Sequence, residues 1–158
     1  MAELIAVNIS EGGIPKLPVP QGTVTADGLV GDGQAHAKHR KPNRALCTLD
    51  IEIIEQLQAE GYAVAPGVLG ENLTLRGCNT WLLVQGARLR FNGGVEIELT
   101  EARKPCFILD AVHPDLKQVT VGRIGWMASV VRGGRISPGE SIDLVQPAQM
   151  RELDRDEQ

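Results

Sequence analysis

The chemistry open to this chain starts from three thiols, Cys47, Cys78 and Cys106. Of these, Cys106 has the most promising neighbours, in the segment Arg103-Lys104-Pro105-Cys106. Two cations beside a thiol favour the thiolate, the form that is nucleophilic and that ligates metals. Pro105 restricts the approach to the sulfur. The segment also follows a predicted strand and its turn, where loops tend to present functional groups. The competing reading makes Cys106 a buried small hydrophobe beside Phe107 and Ile108, the commonest fate of a free cysteine. Cys47 shares a predicted strand face with Ala45 and Leu49 and reads as core filler. Cys78, in the turn Gly77-Cys78-Asn79-Thr80, is expected to be exposed and oxidisable, with no group placed to activate it. An odd number of cysteines, widely spaced and without a CxxC, indicates neither a disulfide framework nor a four-thiolate zinc site.

The second chemical feature is the glycine-bounded segment 31–41, which holds His36, His39, Lys38, Arg40 and Lys41. Loop amides together with Lys and Arg heads can hold phosphate or a similar small oxyanion. The alternative is a solvated basic loop. His36 and His39 could instead ligate zinc with Cys106 as a third ligand, but an HxxH pattern without a near third ligand is nonspecific. The chain has no Gly-x-Ser-x-Gly elbow, no His-Glu-x-x-His and no dinucleotide fingerprint, so common hydrolase and dehydrogenase readings lose their support.

The elements that must position these groups are short. The 18 glycines and 9 prolines, spread throughout, divide the chain into many brief apolar runs. This predicts a mainly β fold, a barrel or sandwich of short strands with one or two short helices. Strands are expected at 4–9, 44–48, 72–75, 87–91, 95–100, 126–131 and 141–145. In the hairpin around Asn92, Leu89 and Phe91 alternate with Arg88 and Arg90, while Val95 and Ile97 alternate with Glu96 and Glu98. Opposed residues share a sheet face, so a two-residue Asn-Gly loop is excluded by parity. The three-residue loop Asn92-Gly93-Gly94 sets Arg90 against Glu96 and Arg88 against Glu98, with Gly94 free to turn left-handed. A helix is predicted over 51–60, with Ile53, Ile54 and Leu57 as its apolar stripe, Asp50 as its N-cap and Gly61 at its end. A helical turn can begin at Pro114.

At 158 residues, 42% of them hydrophobic, the chain suits one domain over 1–146, followed by a charged tail at 147–158 that is mobile or lightly docked. A net charge of −4 gives no global attraction to nucleic acid or to an anionic membrane. No basic leader and no apolar run of membrane-spanning length is present, so cytoplasmic residence is expected.

With these segments in hand, the chain resembles the MOSC family, the domain named for the C-terminal part of molybdenum cofactor sulfurases. The match runs in order through Gly28-Leu29-Val30-Gly31-Asp32, residues 44–50, Pro66-Gly67, and Gly70-Glu71-Asn72-Leu73-Thr74. It continues through Leu99-Thr100, Arg103-Lys104-Pro105-Cys106, Gly125-Trp126-Met127-Ala128, Gly133-Gly134 and Ile136-Ser137-Pro138-Gly139-Glu140. The resemblance implies a closed or partly closed β-barrel and a motif cysteine at Cys106 that carries sulfur or ligates molybdenum. It also implies a basic pocket for the molybdenum cofactor (molybdopterin), no tightly bound metal in the isolated chain, and pyridoxal phosphate binding as a family property. Arg44 enters because it matches the family motif; its plain alternative is an exposed strand-end charge. Arg103, Lys104, Arg44, His36 and His39 would then hold the anionic part of the cofactor. Glu71 and Asn72 would line the same cavity, although a structural turn role suits them equally. One departure stands in the acidic loop, where the family often continues Asp-Arg-His or Asp-Lys-His, and Gly33, Gln34 and Ala35 here separate Asp32 from His36. The chain has no room for a fused pyridoxal-phosphate desulfurase or iron-sulfur module, so a separate cysteine desulfurase or redox partner is expected. Two functions follow: a sulfur carrier or sulfurtransferase working through a Cys106 persulfide, or a non-catalytic module that binds a pterin or small anion.

Overall fold

The computed structural model describes residues 1–33 and 44–147, and the architecture is that of those residues. The strands in chain order are β1 (Glu3–Ile9), β2 (Leu17–Val19), β3 (Gly22–Thr25), β4 (Gly28–Leu29), β5 (Leu46–Asp50), β6 (Leu73–Arg76), β7 (Arg88–Phe91), β8 (Glu96–Ala102), β9 (Trp126–Arg132), β10 (Gly134–Ile136) and β11 (Ile142–Val145). The helices are α1 (Ile51–Ala59) and α2 (Leu116–Val119), with single 3-10 turns at Thr80–Leu82 and Phe107–Ala111. Eight strands form one sheet in the order β11-β7-β8-β9-β5-β6-β1-β2, and β10-β3-β4 form a second. Near one end the large sheet curls onto itself: Glu3 bridges Ser141, and the Ile142 amide donates to the Ala2 carbonyl at 3.0 Å. The barrel is therefore partly closed.

Alternation along β5 explains why there are two cores. Leu46 faces the barrel interior with Leu73, Leu89, Ile97, Leu99 and Ala128. Leu49 faces outward into a second cluster with Ile54, Leu57, Leu69, Leu109 and Leu116. A strand buried on both faces reads as a continuous apolar run, as Leu46 to Leu49 nearly does. Full burial of Leu49, Ile54 and Leu57 contributes about 1.5–3 kcal/mol each in transfer free energy. β5 and β6 run parallel, which requires a crossover, and α1 supplies it.

The hairpin register is the expected one: Arg88 opposes Glu98, Leu89 opposes Ile97 and Arg90 opposes Glu96. Gly94 takes φ +109°, and the Phe91 amide closes the loop on the Val95 carbonyl at 2.8 Å. Arg88 reaches both Glu96 and Glu98 at 3.1 Å, and Arg90 meets Glu96 at 2.7 Å.

Several expectations need correction. Asp50 precedes α1, but its side chain does not cap it; the carboxylate turns away and accepts from both the amide and the hydroxyl of Thr80. Arg44 lies just before β5, which begins at Leu46. The strands β2, β3, β4 and β10 carry too few apolar residues to register as alternation, and β2 is an edge strand interrupted by Pro18, where a missing N–H is tolerated. Cys78 is buried rather than exposed, and burial, then the Asp50 and Glu52 carboxylates, push its thiol pKa up to about 12. Tail residues 148–158 lie outside the described residues.

Candidate functional site

Cys106 stands where β8 has ended and the Phe107–Ala111 turn begins. The Arg103 amide donates to the Gly125 carbonyl at 2.9 Å, pinning this loop against the start of β9. In the sheet beneath, Glu101 pairs with Met127, and Met127 pairs with Cys47. Directly paired residues present side chains on the same face, so these three form a row across β8, β9 and β5 on the outer face of the barrel. Above that row opens a cleft of about 570 Å³ walled by Arg44, Glu101, Arg103, Lys104, Cys106 and Met127. Its walls carry three cations against one carboxylate, and Arg44 pairs with that carboxylate, Glu101, at 2.6 Å. Cys106 is exposed, which rules out the buried-hydrophobe reading.

The fold thus brings Arg44, Arg103, Lys104 and Cys106 together. His36 and His39 lie outside the described residues. Glu71 and Asn72 are not on the cleft wall, in contrast to the expectation that they line it. Asn72, 3% exposed, accepts from the Cys47 amide at 3.1 Å and donates to the Asn8 carbonyl at 3.3 Å and to Asp32 at 3.0 Å. Glu71, fully buried, accepts from the Gly67 amide at 3.0 Å and the Thr74 hydroxyl at 2.9 Å, while its other oxygen, Oε1, has no partner among the described residues. Burial pushes the Glu71 carboxyl pKa up. Asp32, which ends the Gly28–Asp32 motif, is locked by Lys16 at 2.7 Å and by the Ser10 amide at 3.0 Å. These groups hold the backbone behind the cleft.

Arg103 departs from the simple picture of a cation beside Cys106. Its guanidinium packs on Gly70, where an added Cβ would come within 3.2 Å of Nη2, and the glycine φ of +96° further disfavours a side chain there. The same guanidinium approaches Cys47: burial raises that thiol's pKa, and the Arg103 charge opposes the shift. Composition gave no signal for this, because Cys47 on its strand face looks like any apolar filler. Glu101 and Met127 were also missed as wall residues, although alternation along β8 places Glu101 outward once the bulge between Leu99 and Glu101 is known.

A second, smaller cavity of about 110 Å³ shares Ala102 and Arg103 with the cleft and is walled also by Asp50, Thr80, Trp81, Arg123 and Trp126. The Trp126 indole N–H donates to the Thr80 carbonyl at 2.8 Å, fixing one wall. Among the described residues no group of three His, Cys, Asp or Glu is arranged to hold a metal, and no helix is long and apolar enough to cross a membrane.

Comparison with known proteins places these features in a lineage. A family model, the MOSC domain, matches residues 35–143. Protein YiiM of Escherichia coli (strain K12) is 34% identical over 134 residues, covering 77% of this chain and 58% of YiiM. A protein named "Reductase" from Gibberella moniliformis is 29% identical over 132 residues, covering 77% of this chain and 23% of that protein. The chain thus spans less than two thirds of the length of the curated relatives it matches. The crystal structure of E. coli YiiM superposes with a TM-score of 0.72 at 28% identity, over 92% of this chain and 70% of that one. The YUAD protein of Bacillus subtilis superposes with a TM-score of 0.77 at 18% identity, over 92% and 97% of the two chains, a likeness of fold alone.

Proposed function

This chain belongs to the MOSC domain family, whose members are associated with the molybdenum cofactor, and we propose that its Cys106 cleft carries sulfur to, or holds, an anionic molybdopterin-like ligand. The observation that carries the reading is the exposed Cys106 sulfur on the wall of a cleft whose cations, Arg44, Arg103 and Lys104, outnumber its one carboxylate. The cleft volume falls within the range of about 300–1,000 Å³ usual for small-molecule sites. Arg and Lys heads suit a phosphate or pterin-borne oxyanion. The donor set fits the group as well. Cys106 would add one thiolate bond to a metal held by the pterin. When bound, the cofactor would supply sulfur-acceptor or two-electron redox chemistry at molybdenum. His36 and His39 enter the proposal from sequence alone, as further cationic groups for the same anion.

Sulfur uptake needs only chemistry that Cys106 can perform. The thiolate attacks the terminal sulfur of a persulfide on a separate cysteine desulfurase, itself a pyridoxal-phosphate enzyme. A new S–S bond forms at Cys106, the donor S–S bond breaks, the donor leaves as its thiolate, and no net oxidation occurs. Lys104 and Arg44 accompany the negative charge, and the neighbouring loop keeps the sulfur accessible. The test is incubation with a cysteine desulfurase and ³⁵S-cysteine. Cyanide-releasable label is expected on the wild type and not on Cys106→Ala. Label that never appears, or that persists in the variant, removes the carrier reading; molybdopterin binding retained in that case would leave a passive cofactor-binding module.

A further inference from the structure

The loop that carries Cys106 is fastened on both sides of the thiol, and by different means. On the far side, the Leu109 amide donates to the Cys106 carbonyl at 3.1 Å, and the Leu109 side chain is buried in the outer core. On the near side the fastening is a cation. The Arg103 amide donates to the Gly125 carbonyl at 2.9 Å. Its guanidinium turns inward from the cleft wall: Nη1 is sealed from solvent, Nη2 lies against Gly70, and the group reaches the buried Cys47 thiol on β5. Between the two fastenings Lys104, Cys106 and Phe107 are exposed. Only Lys104 and Pro105 separate the arginine from the cysteine, and the fixed φ of proline stiffens that arm. A shift at Arg103 is therefore passed on to Cys106.

We propose that Arg103 is a positioning residue, its inward guanidinium a bolt that fixes the Cys106 sulfur at the cleft, with Gly70 and Cys47 as the socket. The socket needs a glycine, because a Cβ there would come within 3.2 Å of Nη2. It also needs the planar fork of an arginine, which the compact ammonium of a lysine does not reproduce. The inference rests on the reading that Cys106 is the reacting group, and it gives Arg103 a role toward the thiol in addition to its charge beside the cleft.

A nitroxide spin label on Cys106 of the full chain reads the bolt directly. Cys47 and Cys78 are buried, so a stoichiometry of one label per chain also shows that a variant is folded. Wild type should give a restricted spectrum. Arg103→Met keeps the stem and removes the fork; Gly70→Ala leaves every residue of the cleft wall in place and presses on the fork. Each should shorten the correlation time of the label by about twofold or more. Arg103→Lys, which keeps the charge, should share the change. In unlabelled protein the same three variants should slow sulfur loading by a cysteine desulfurase about tenfold or more at saturating donor, since a misplacement of about 1 Å can cost about 100-fold. The donor concentration at half-maximal rate should stay as in wild type. A label as restricted in Arg103→Met or Gly70→Ala as in wild type overturns the proposal, and so does full recovery in Arg103→Lys. Wild type that takes up no sulfur removes the carrier reading alone, because the mobility of the label still decides whether Arg103 holds the thiol in place.

Discussion

Two polar clusters meet at the start of β5, and they differ in how far they are shut off from solvent. Behind the strand, Asn8, Glu71, Asn72 and Thr74 are almost wholly buried and knit to one another and to backbone groups. In front of it, Lys104 and Cys106 are exposed beside a cleft that Arg44 and Arg103 also wall. Both clusters arise from motif segments of similar polarity. Buried polar groups take most of their partners from the protein because water cannot supply them, so they end up fixing the backbone, with only Asn8 Oδ1 and Glu71 Oε1 of this cluster left without one among the described residues. The exposed Lys104 and Cys106 keep solvent as an alternative partner, so they need no protein partner and can be offered to a ligand.

The sharpest way to break this contrast is Asn72→Leu, which strips a partner from the buried Cys47 amide, the Asn8 carbonyl and Asp32. A loss of about 3 kcal/mol or more is expected, at roughly 1–3 kcal/mol per stranded group, and is read from urea unfolding. Glu71→Gln probes the same cluster through pH. Because burial raises the folded-state pKa of Glu71, its carboxyl is harmless while protonated. It becomes a burden as pH climbs from the unfolded value toward the raised folded one. Melting temperatures between about pH 4 and pH 8 should therefore show the wild type losing ground to Glu71→Gln as pH rises. A constant gap would mean that the carboxyl ionises alike in both states. In the hairpin, Arg88→Ala removes contacts to two half-buried carboxylates and should cost about 0.2–1 kcal/mol for each pair. The loss should shrink in high salt. Smallest in stability is Cys106→Ser, expected within about 0.5 kcal/mol of wild type. In the native protein a bulky disulfide reagent should nevertheless modify one thiol in wild type and none in this variant, with Cys47 and Cys78 reacting only after unfolding.

Much of the scaffold was legible because its signals are local. The alternation of Leu89 and Phe91 with Arg88 and Arg90, together with parity across Asn92-Gly93-Gly94, sets a register that the structure carries unchanged. The Ile53, Ile54 and Leu57 stripe identifies α1 for the same reason. The strands β3, β4 and β10 were not legible, since two to four residues rich in Gly and Thr leave no period to read. Asp50 misled as an N-cap because its competitor, Thr80, is distant in sequence.

By itself the sequence determined which residue types could do chemistry and which short segments would pair. Those choices depend on interactions within a few residues and on alternation along a strand. The tertiary structure alone decided that Arg103 leans on Gly70 and Cys47 while walling two cavities, that Glu71 and Asn72 are sealed behind the cleft, and that Cys106 faces out. Each of these depends on which strands become neighbours and on how the loops between them leave the sheet, and no short stretch of chain encodes either.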